Sequence, residues 1–303
     1  MEYVLKTDGL TKLFGKRPAV NHVSMSVKRG DIYGFIGKNG AGKTTLIRMA
    51  VGLAAPSSGT IELFGSPDLK KQRHRIGTVI EYPAIFPHMT ARQNLEAQCR
   101  LIGVKDYKVI EDTLHLVGLN PADKKKARNF SLGMKQRLAI ALSLIGNPEF
   151  LFLDEPINGL DPTGIMEIRQ LIQKLNRERG ITVLISSHIL GELSKLATRY
   201  GIINNGELVE EFTAEELEEH CQSSLCIRVN QPETACNILT QQFQTNQYKV
   251  GPDGILYVYD HLEDAGAINT ALVQNGLVVE SLHVTTADLE DYFIHAVGGN
   301  QHV

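Results

Sequence analysis

The chain has 303 residues, with 31 lysines and arginines against 34 aspartates and glutamates, for a formal net charge of −3. The near-balance excludes a histone-like protein that wraps a polyanion, and a hydrophobic content of 43% is that of a folded chain. The length suits one large and one small domain, about 100–200 residues each, with a core that needs no disulfide or metal staple. The four cysteines, Cys99, Cys221, Cys226 and Cys236, form no Cys-x-x-Cys pair and have no histidines at zinc spacing, so they read as reduced thiols. The N-terminus lacks a basic region followed by an apolar stretch, so no signal peptide is expected. No apolar run approaches the ~20 residues of a membrane helix, and the chain is expected to be soluble unless a partner tethers it.

Strand-like and helix-like stretches alternate along the chain. Ile32-Tyr-Gly-Phe-Ile36 reads as a buried strand, and 44–51 as the helix after it. Short apolar runs at 76–80, 150–153 and 181–185 suit further buried strands. Helices are expected at 91–102, 107–117, 132–144, 164–179 and 189–197. This alternation predicts an α/β fold with a mainly parallel sheet. Asn204-Asn-Gly-Glu207 predicts a hairpin turn, and Thr213-Ala-Glu-Glu a capping box opening a short helix. A second set follows: strand 225–229, helix 233–241, strands 248–250 and 255–259, helix 265–275, strand 278–282 and a last helix 287–296. The order β-α-β-β-α-β predicts a small α+β domain over 213–303 with a ferredoxin-like arrangement.

Charge divides at the same boundary. Residues 1–212 hold 29 basic and 21 acidic side chains, net +8. Residues 213–303 hold two basic ones, Arg228 and Lys249, and 13 acidic ones, net −11.

Gly37-Lys-Asn-Gly-Ala-Gly-Lys43-Thr44 matches G-x4-G-K-[ST] between an apolar strand and a helix, the context a phosphate loop requires. Its glycines let backbone N–H groups, from Gly37, Asn39, Gly40, Ala41 and Gly42 through Thr45, point at phosphate oxygens, and the helix N-terminus adds positive potential. Lys43 supplies a point charge to the β- and γ-phosphates, and the Thr44 hydroxyl a ligand for Mg²⁺. Phe150-Leu-Phe-Leu-Asp154-Glu155 is an apolar strand ending in two carboxylates. At the C-terminal end of a parallel strand, Asp154 can hold Mg²⁺, and Glu155 can polarise a water for attack on the γ-phosphate.

With these motifs in order, residues 1–212 resemble the ATP-binding subunits of ABC transporters. The resemblance implies a phosphate-loop ATPase cassette with a parallel-sheet core, an antiparallel β subdomain and a helical subdomain at about 84–145. Phe130-Ser-Leu-Gly-Met-Lys-Gln-Arg137 resembles the family's signature, with Leu132 where a glycine is usual and Met134 where a glutamine is usual. The family then has Ser131 and Gly133 hold the γ-phosphate of ATP bound by a second copy, closed head-to-tail; Ser131 also suits an ordinary helix N-cap. Asn158-Gly-Leu-Asp161 resembles the loop that crosses that interface. His188 resembles the switch histidine on the γ-phosphate. Phe14 sits where the family stacks an aromatic on adenine, a core phenylalanine being the alternative.

Glu81 departs from the family, which usually has glutamine there, touching Mg²⁺ and the attacking water. A carboxylate at 81 would bind the metal or raise the cost of holding phosphate until metal is present; an exposed strand-end residue is the alternative. Glu81, the Phe-Ser-Leu-Gly-Met-Lys signature and the closing Leu289-Glu-Asp-Tyr-Phe293 resemble the bacitracin-resistance-like and lantibiotic self-immunity exporters.

The resemblance implies an Mg·ATP-hydrolysing subunit that energises export of peptide antibiotics or bacteriocins by separate integral-membrane permease subunits. It would sit peripherally on the cytoplasmic face of the membrane, with no specific nucleic acid as partner. A non-transport ABC ATPase acting on ribosomes or nucleic acid is the alternative; the single phosphate loop and the absence of a coiled-coil insertion count against it. Ile85, Phe86 and Met89 lie where the family docks its permease, or else pack within the helical subdomain. Lys124-Lys-Lys-Ala-Arg128 is a solvated basic face, or a contact with anionic headgroups.

Overall fold

The computed structural model describes the chain except residues 1, 82–83, 221–222, 252–253, 286–291 and 294–303, and the side chains of 219 and 220. It divides into two units, one ending at Ala214 and one beginning at Glu215.

The first unit opens with strands β1 (Tyr3–Phe14), β2 (Arg17–Val23) and β3 (Ser26–Lys28). The buried run Ile32–Ile36 is β4, followed by α1 (Lys43–Val51). Next come β5 (Ser58–Leu63), one turn of helix α2 (Leu69–Gln72) and β6 (Ile76–Val79). A helical segment of α3 (Ala91–Ile102), α4 (Lys108–Leu116) and α5 (Leu132–Leu144) precedes β7 (Phe150–Asp154). Then follow α6 (Pro162–Arg179), β8 (Thr182–Ser187), α7 (Leu190–Leu193), β9 (Arg199–Asn204) and β10 (Glu207–Thr213).

One sheet has the order β10-β9-β4-β8-β7-β6, parallel from β9 to β6. Strands β4, β7 and β8 are buried at every residue, which is why they read as unbroken apolar runs. β10 returns antiparallel to β9 through Asn205 and Gly206, both at positive φ. The other sheet is antiparallel, with β1 paired to β2, β3 and β5. Its strands escape the sequence pattern because β1 carries register shifts against every neighbour, which break the alternation of period two. Val4, Leu5, Leu46, Ile47, Phe150 and Phe152 join both sheets and α1 in one core.

The expected helix 189–197 is shorter than predicted. Only Leu190–Leu193 is helical, and the chain then turns. The Tyr200 hydroxyl takes the Ala197 carbonyl at 3.2 Å, and Ala197 packs closely over Gly34, where a side chain would meet it. Those contacts hold the segment against β4 and β9 rather than along a helix axis.

In the second unit, α8 (Ala214–His220) leads to β11 (Ser224–Val229), α9 (Pro232–Phe243), β12 (Tyr248–Val250), β13 (Leu256–Val258), α10 (Ala265–Gln274) and β14 (Val279–Thr285). The sheet order is β12-β13-β11-β14, antiparallel throughout. Leu225, Ile227, Leu239, Leu256, Ile268 and Leu272 make its core with the two helices. The expected helix 287–296 lies outside the described residues, apart from Tyr292 and Phe293, which are helical. No helix among the described residues is long and apolar enough to cross a membrane.

At the N-terminal end of the parallel strands, Glu149 accepts hydrogen bonds from Arg75 at 2.6 and 2.8 Å and from Arg29 at 2.9 Å. Arg29 also binds Glu2, and the Arg75 guanidinium lies 3.7 Å from the Phe64 ring centroid. The cluster fastens the β1 and β5 ends to the start of β7. The Arg75 hydrogen bonds, then those of Arg29, hold the Glu149 carboxyl down to about 2. A pKa below its unfolded value stabilises the fold above about pH 4.5, and that contribution disappears as pH falls towards 2. Because the cluster is solvent-accessible, Glu149→Gln is expected to cost about 1 kcal/mol at pH 7. The difference from wild type should shrink below about pH 4.5 and vanish only near pH 2 in urea titrations; a pH-independent difference would show that packing, not charge, is lost.

Candidate functional site

The loop between β4 and α1 curls where only glycine fits. A Cβ at Gly37 would lie 2.5 Å from the Ile203 carbonyl, and Gly42, at φ +113, would drive one into the Ala19 carbonyl. The turn aims α1, which starts at Lys43, into a cleft of about 150 Å³. Asn39, Gly40, Ala41, Thr44, Thr45 and Glu155 line it together with the loop glycine Gly42. Lys43 is buried, and its Nζ donates to the carbonyls of Gly37 at 2.5 Å and Lys38 at 3.3 Å.

The carboxylates meet this cleft from the strand ends. Asp154, last residue of β7, is 2% exposed. A polar group so buried needs hydrogen-bond partners. It accepts the Thr44 hydroxyl at 2.8 Å and the Ser186 hydroxyl at 2.5 Å. Ser186 in turn accepts the Glu155 N–H at 3.0 Å, so one serine on β8 holds both acidic residues. Glu155 then turns with φ 50, a left-handed conformation uncommon outside glycine, asparagine and aspartate. The turn places Oε1 3.2 Å from Lys43 Nζ and Oε2 2.8 Å from His188 Nδ1. Oε1 is buried and makes no hydrogen bond, so the Lys43 ammonium is its charge partner.

The structure thus brings Lys43, Thr44, Asp154, Glu155 and His188 into one connected network. The loop residues Asn39 to Gly42 and Thr45 line the same cleft, and the remaining residues singled out lie outside this network. Glu81 is half-exposed, at φ 59, in an ion pair with Arg48 at 2.7 Å. Phe14 is 60% exposed, which excludes a core role, with Lys12 Nζ 5.5 Å from its ring centroid. Ser131 caps α5, its Oγ accepting from Met134 N–H at 3.3 Å, and Asp161 caps α6 through Gly164 N–H at 3.1 Å. Ser131, Gly133, Gly159 and Asp161 line a second cleft of about 350 Å³. Leu132, in place of a glycine, is half-exposed and borders the same cleft beside Gly159.

Ser186 and Arg48 are the residues that motif spacing did not single out. The signal for Ser186 was present in Ser186-Ser187-His188: a small hydroxyl at the buried end of a strand suits a carboxylate on the neighbouring strand. For Arg48 the signal is helical phase, four residues after Thr44.

The donor set fits Mg²⁺. A hydroxyl and one buried carboxylate 2.8 Å apart are two oxygen ligands, and among the described residues no group of three His, Cys, Asp or Glu gathers as a metal cage. Mg²⁺ takes few protein ligands and completes its shell with phosphate and water. Ser186→Ala removes one donor to Asp154 and one acceptor for Glu155. It is expected to destabilise the chain by about 1–3 kcal/mol in thermal or urea unfolding. An unchanged midpoint would show that Asp154 finds another donor.

Comparison with known proteins agrees with this geometry. The ABC transporter family profile matches residues 20–158. The chain is 44% identical over 302 residues to the bacitracin transport ATP-binding protein BcrA of Bacillus licheniformis, covering 99% of both chains. It is 42% identical over 219 residues to the lantibiotic transport ATP-binding protein SrtF of Streptococcus pyogenes, covering 71% of this chain and 95% of that one. Among solved structures, the ATP-binding cassette MJ0796, a dimer in a post-hydrolysis state bound to ADP and Pi, superposes with a TM-score of 0.62 at 27% identity, covering 69% of this chain and 98% of that one. The shared cassette and the full-length likeness place this chain in the family of ABC transporter ATP-binding proteins.

Proposed function

We propose that this chain hydrolyses ATP to energise a membrane exporter of peptide antibiotics or bacteriocins, serving resistance or self-protection. The observation that carries the ATPase reading is Glu155, with Oε1 on Lys43 and Oε2 on His188 at the edge of the phosphate-loop cleft. The export reading is supported by the relative named for bacitracin transport, which matches both units and not only the cassette. The relatives named for transport leave the ribosome or nucleic-acid alternative without support.

Lys43, now on loop carbonyls, would turn its charge to the β- and γ-phosphates, with the loop N–H groups from Gly37 to Thr45 around them. Thr44 and Asp154 would hold Mg²⁺, which supplies charge neutralisation along the phosphates when bound. Glu155 would take a proton from the attacking water, with His188 fixing its carboxylate and reaching the γ-phosphate side. Phe14, exposed and with Lys12 near its ring, would cover the adenine face.

A second copy would complete the site. Ser131 and Gly133, beside Asp161 in the 350 Å³ cleft, present a hydroxyl and helix N–H groups suited to a phosphate held by the other copy. The permease would dock in a groove of about 670 Å³ between β6 and the helices α3 and α5, where Ile76, Val79, Ile80, Ala84 and Ile102 make an apolar floor. The adjoining Phe86 is half-exposed, and buried Asn94 clamps its backbone through N–H and carbonyl. Ile85 and Met89 flank it. Such docking would hold the chain at the cytoplasmic face of the membrane. We assign residues 1–212 to the cassette, 84–145 to its helical part, and 213–303 to an accessory domain of ferredoxin-like strand order.

Glu155→Gln should bind ATP with near wild-type affinity and lower turnover by about 10²–10⁴-fold. The ATP-bound dimer should persist in size-exclusion chromatography. Wild-type turnover would remove Glu155 from its role. Deleting the chain from its host should raise sensitivity to bacitracin or a lantibiotic; unchanged sensitivity across a panel of both would overturn the export reading alone.

A further inference from the structure

Arg48 stands four residues after Thr44 on α1, on the same helix face and one turn, about 5.4 Å, farther along. Its guanidinium donates to Glu81 Oε1 at 2.7 Å. Strands β6 and β7 run parallel with Val79 opposite Leu153. Glu81 therefore stands two residues after Val79, and Glu155 two after Leu153, on neighbouring strands. Both turn through left-handed backbone, at φ 59 and 50. With Asp154, three carboxylates thus stand at the C-terminal ends of two neighbouring parallel strands, the end of the sheet that must also accept a polyphosphate. Lys43 contacts Glu155, and the hydroxyls of Thr44 and Ser186 serve Asp154. Arg48 is the cation on Glu81.

We propose that Arg48 is a positioning residue that neutralises Glu81 and holds its carboxylate off the phosphates until a divalent cation is bound. This rests on the ATP-binding reading above. An unpaired carboxylate near a nucleotide that carries three or four negative charges repels it, and the repulsion is largest without metal. The pair suits this use because both side chains are accessible, at 43% and 49% exposure. It therefore adds little to stability and opens at little cost. Its effect is felt in the field at the phosphate end, not in the fold. The charge that glutamate brings to a position where the family usually has glutamine is thus compensated within the same chain.

The test measures binding of a fluorescent ATP analogue to the full chain, in EDTA and in Mg²⁺, for wild type, Arg48→Gln, Glu81→Gln and the double variant. In EDTA, Arg48→Gln should weaken binding about three- to tenfold and Glu81→Gln should tighten it by a similar factor. The double variant should return to within about twofold of wild type. The differences should shrink in Mg²⁺ and again at high salt. Unchanged affinity of Arg48→Gln in EDTA, or a double variant as weak as Arg48→Gln, would overturn the proposal. A merely structural arginine would shift all conditions alike and would not be rescued by removing Glu81. Lys43→Ala serves as the separate control: if it binds as tightly as wild type, the nucleotide site itself is misassigned.

Discussion

A single buried carboxylate organises the catalytic end of this protein. Asp154 is almost wholly withdrawn from water, and a polar group there is tolerable only with its oxygens hydrogen-bonded. The hydroxyls that engage it come from different elements, Thr44 on α1 and Ser186 on β8. The carboxylate therefore fixes the helix to two strands at once. Ser186 also receives the Glu155 N–H, so the strand-to-loop turn is set by the same hydrogen-bond system. The glycine-only approach of the phosphate loop to Ile203 and Ala19 then closes the cleft from the opposite side. Once those contacts exist, the positions of Lys43, Glu155 and His188 follow.

The parallel sheet and its phosphate loop were legible because burial on both faces writes itself as unbroken apolar runs. Helices α3 and α5 were found to the residue at their starts because Thr90 and Ser131 cap them, and α3 also carries an apolar stripe. The antiparallel strands of the first unit were not legible one by one. Bulges in β1 shift which side chains face inward, and no local pattern survives that. The helix expected after His188 was misjudged because its apolar residues serve tertiary contacts around Gly34 and Tyr200 rather than a helical stripe.

At the site, motif spacing located Lys43, Thr44, Asp154 and Glu155 by local order alone. It could not locate Ser186 as the shared clamp, since that relation exists only after β7 and β8 pair. Nor could it pair Arg48 with Glu81, which are 33 residues apart and meet only when α1 packs beside the end of β6. The charge division at residue 212 was visible in composition. The balancing of charge inside the first unit, by Arg29 and Arg75 on Glu149 at one end and by Lys43 on Glu155 at the other, was not.

The left-handed turn at Glu155 sets position 155 two incompatible demands. That backbone region is comfortable for glycine, asparagine and aspartate, and holding a longer side chain there costs on the order of 1 kcal/mol. Aspartate would relax the backbone, yet its carboxylate ends one methylene short of the point where Glu155 meets both Lys43 and His188. A search of this chain for thermostable sequences would therefore drift towards residues that relieve the turn and abandon the contacts with Lys43 and His188. Position 155 is where durability and the proposed role in turnover pull the choice of amino acid in opposite directions.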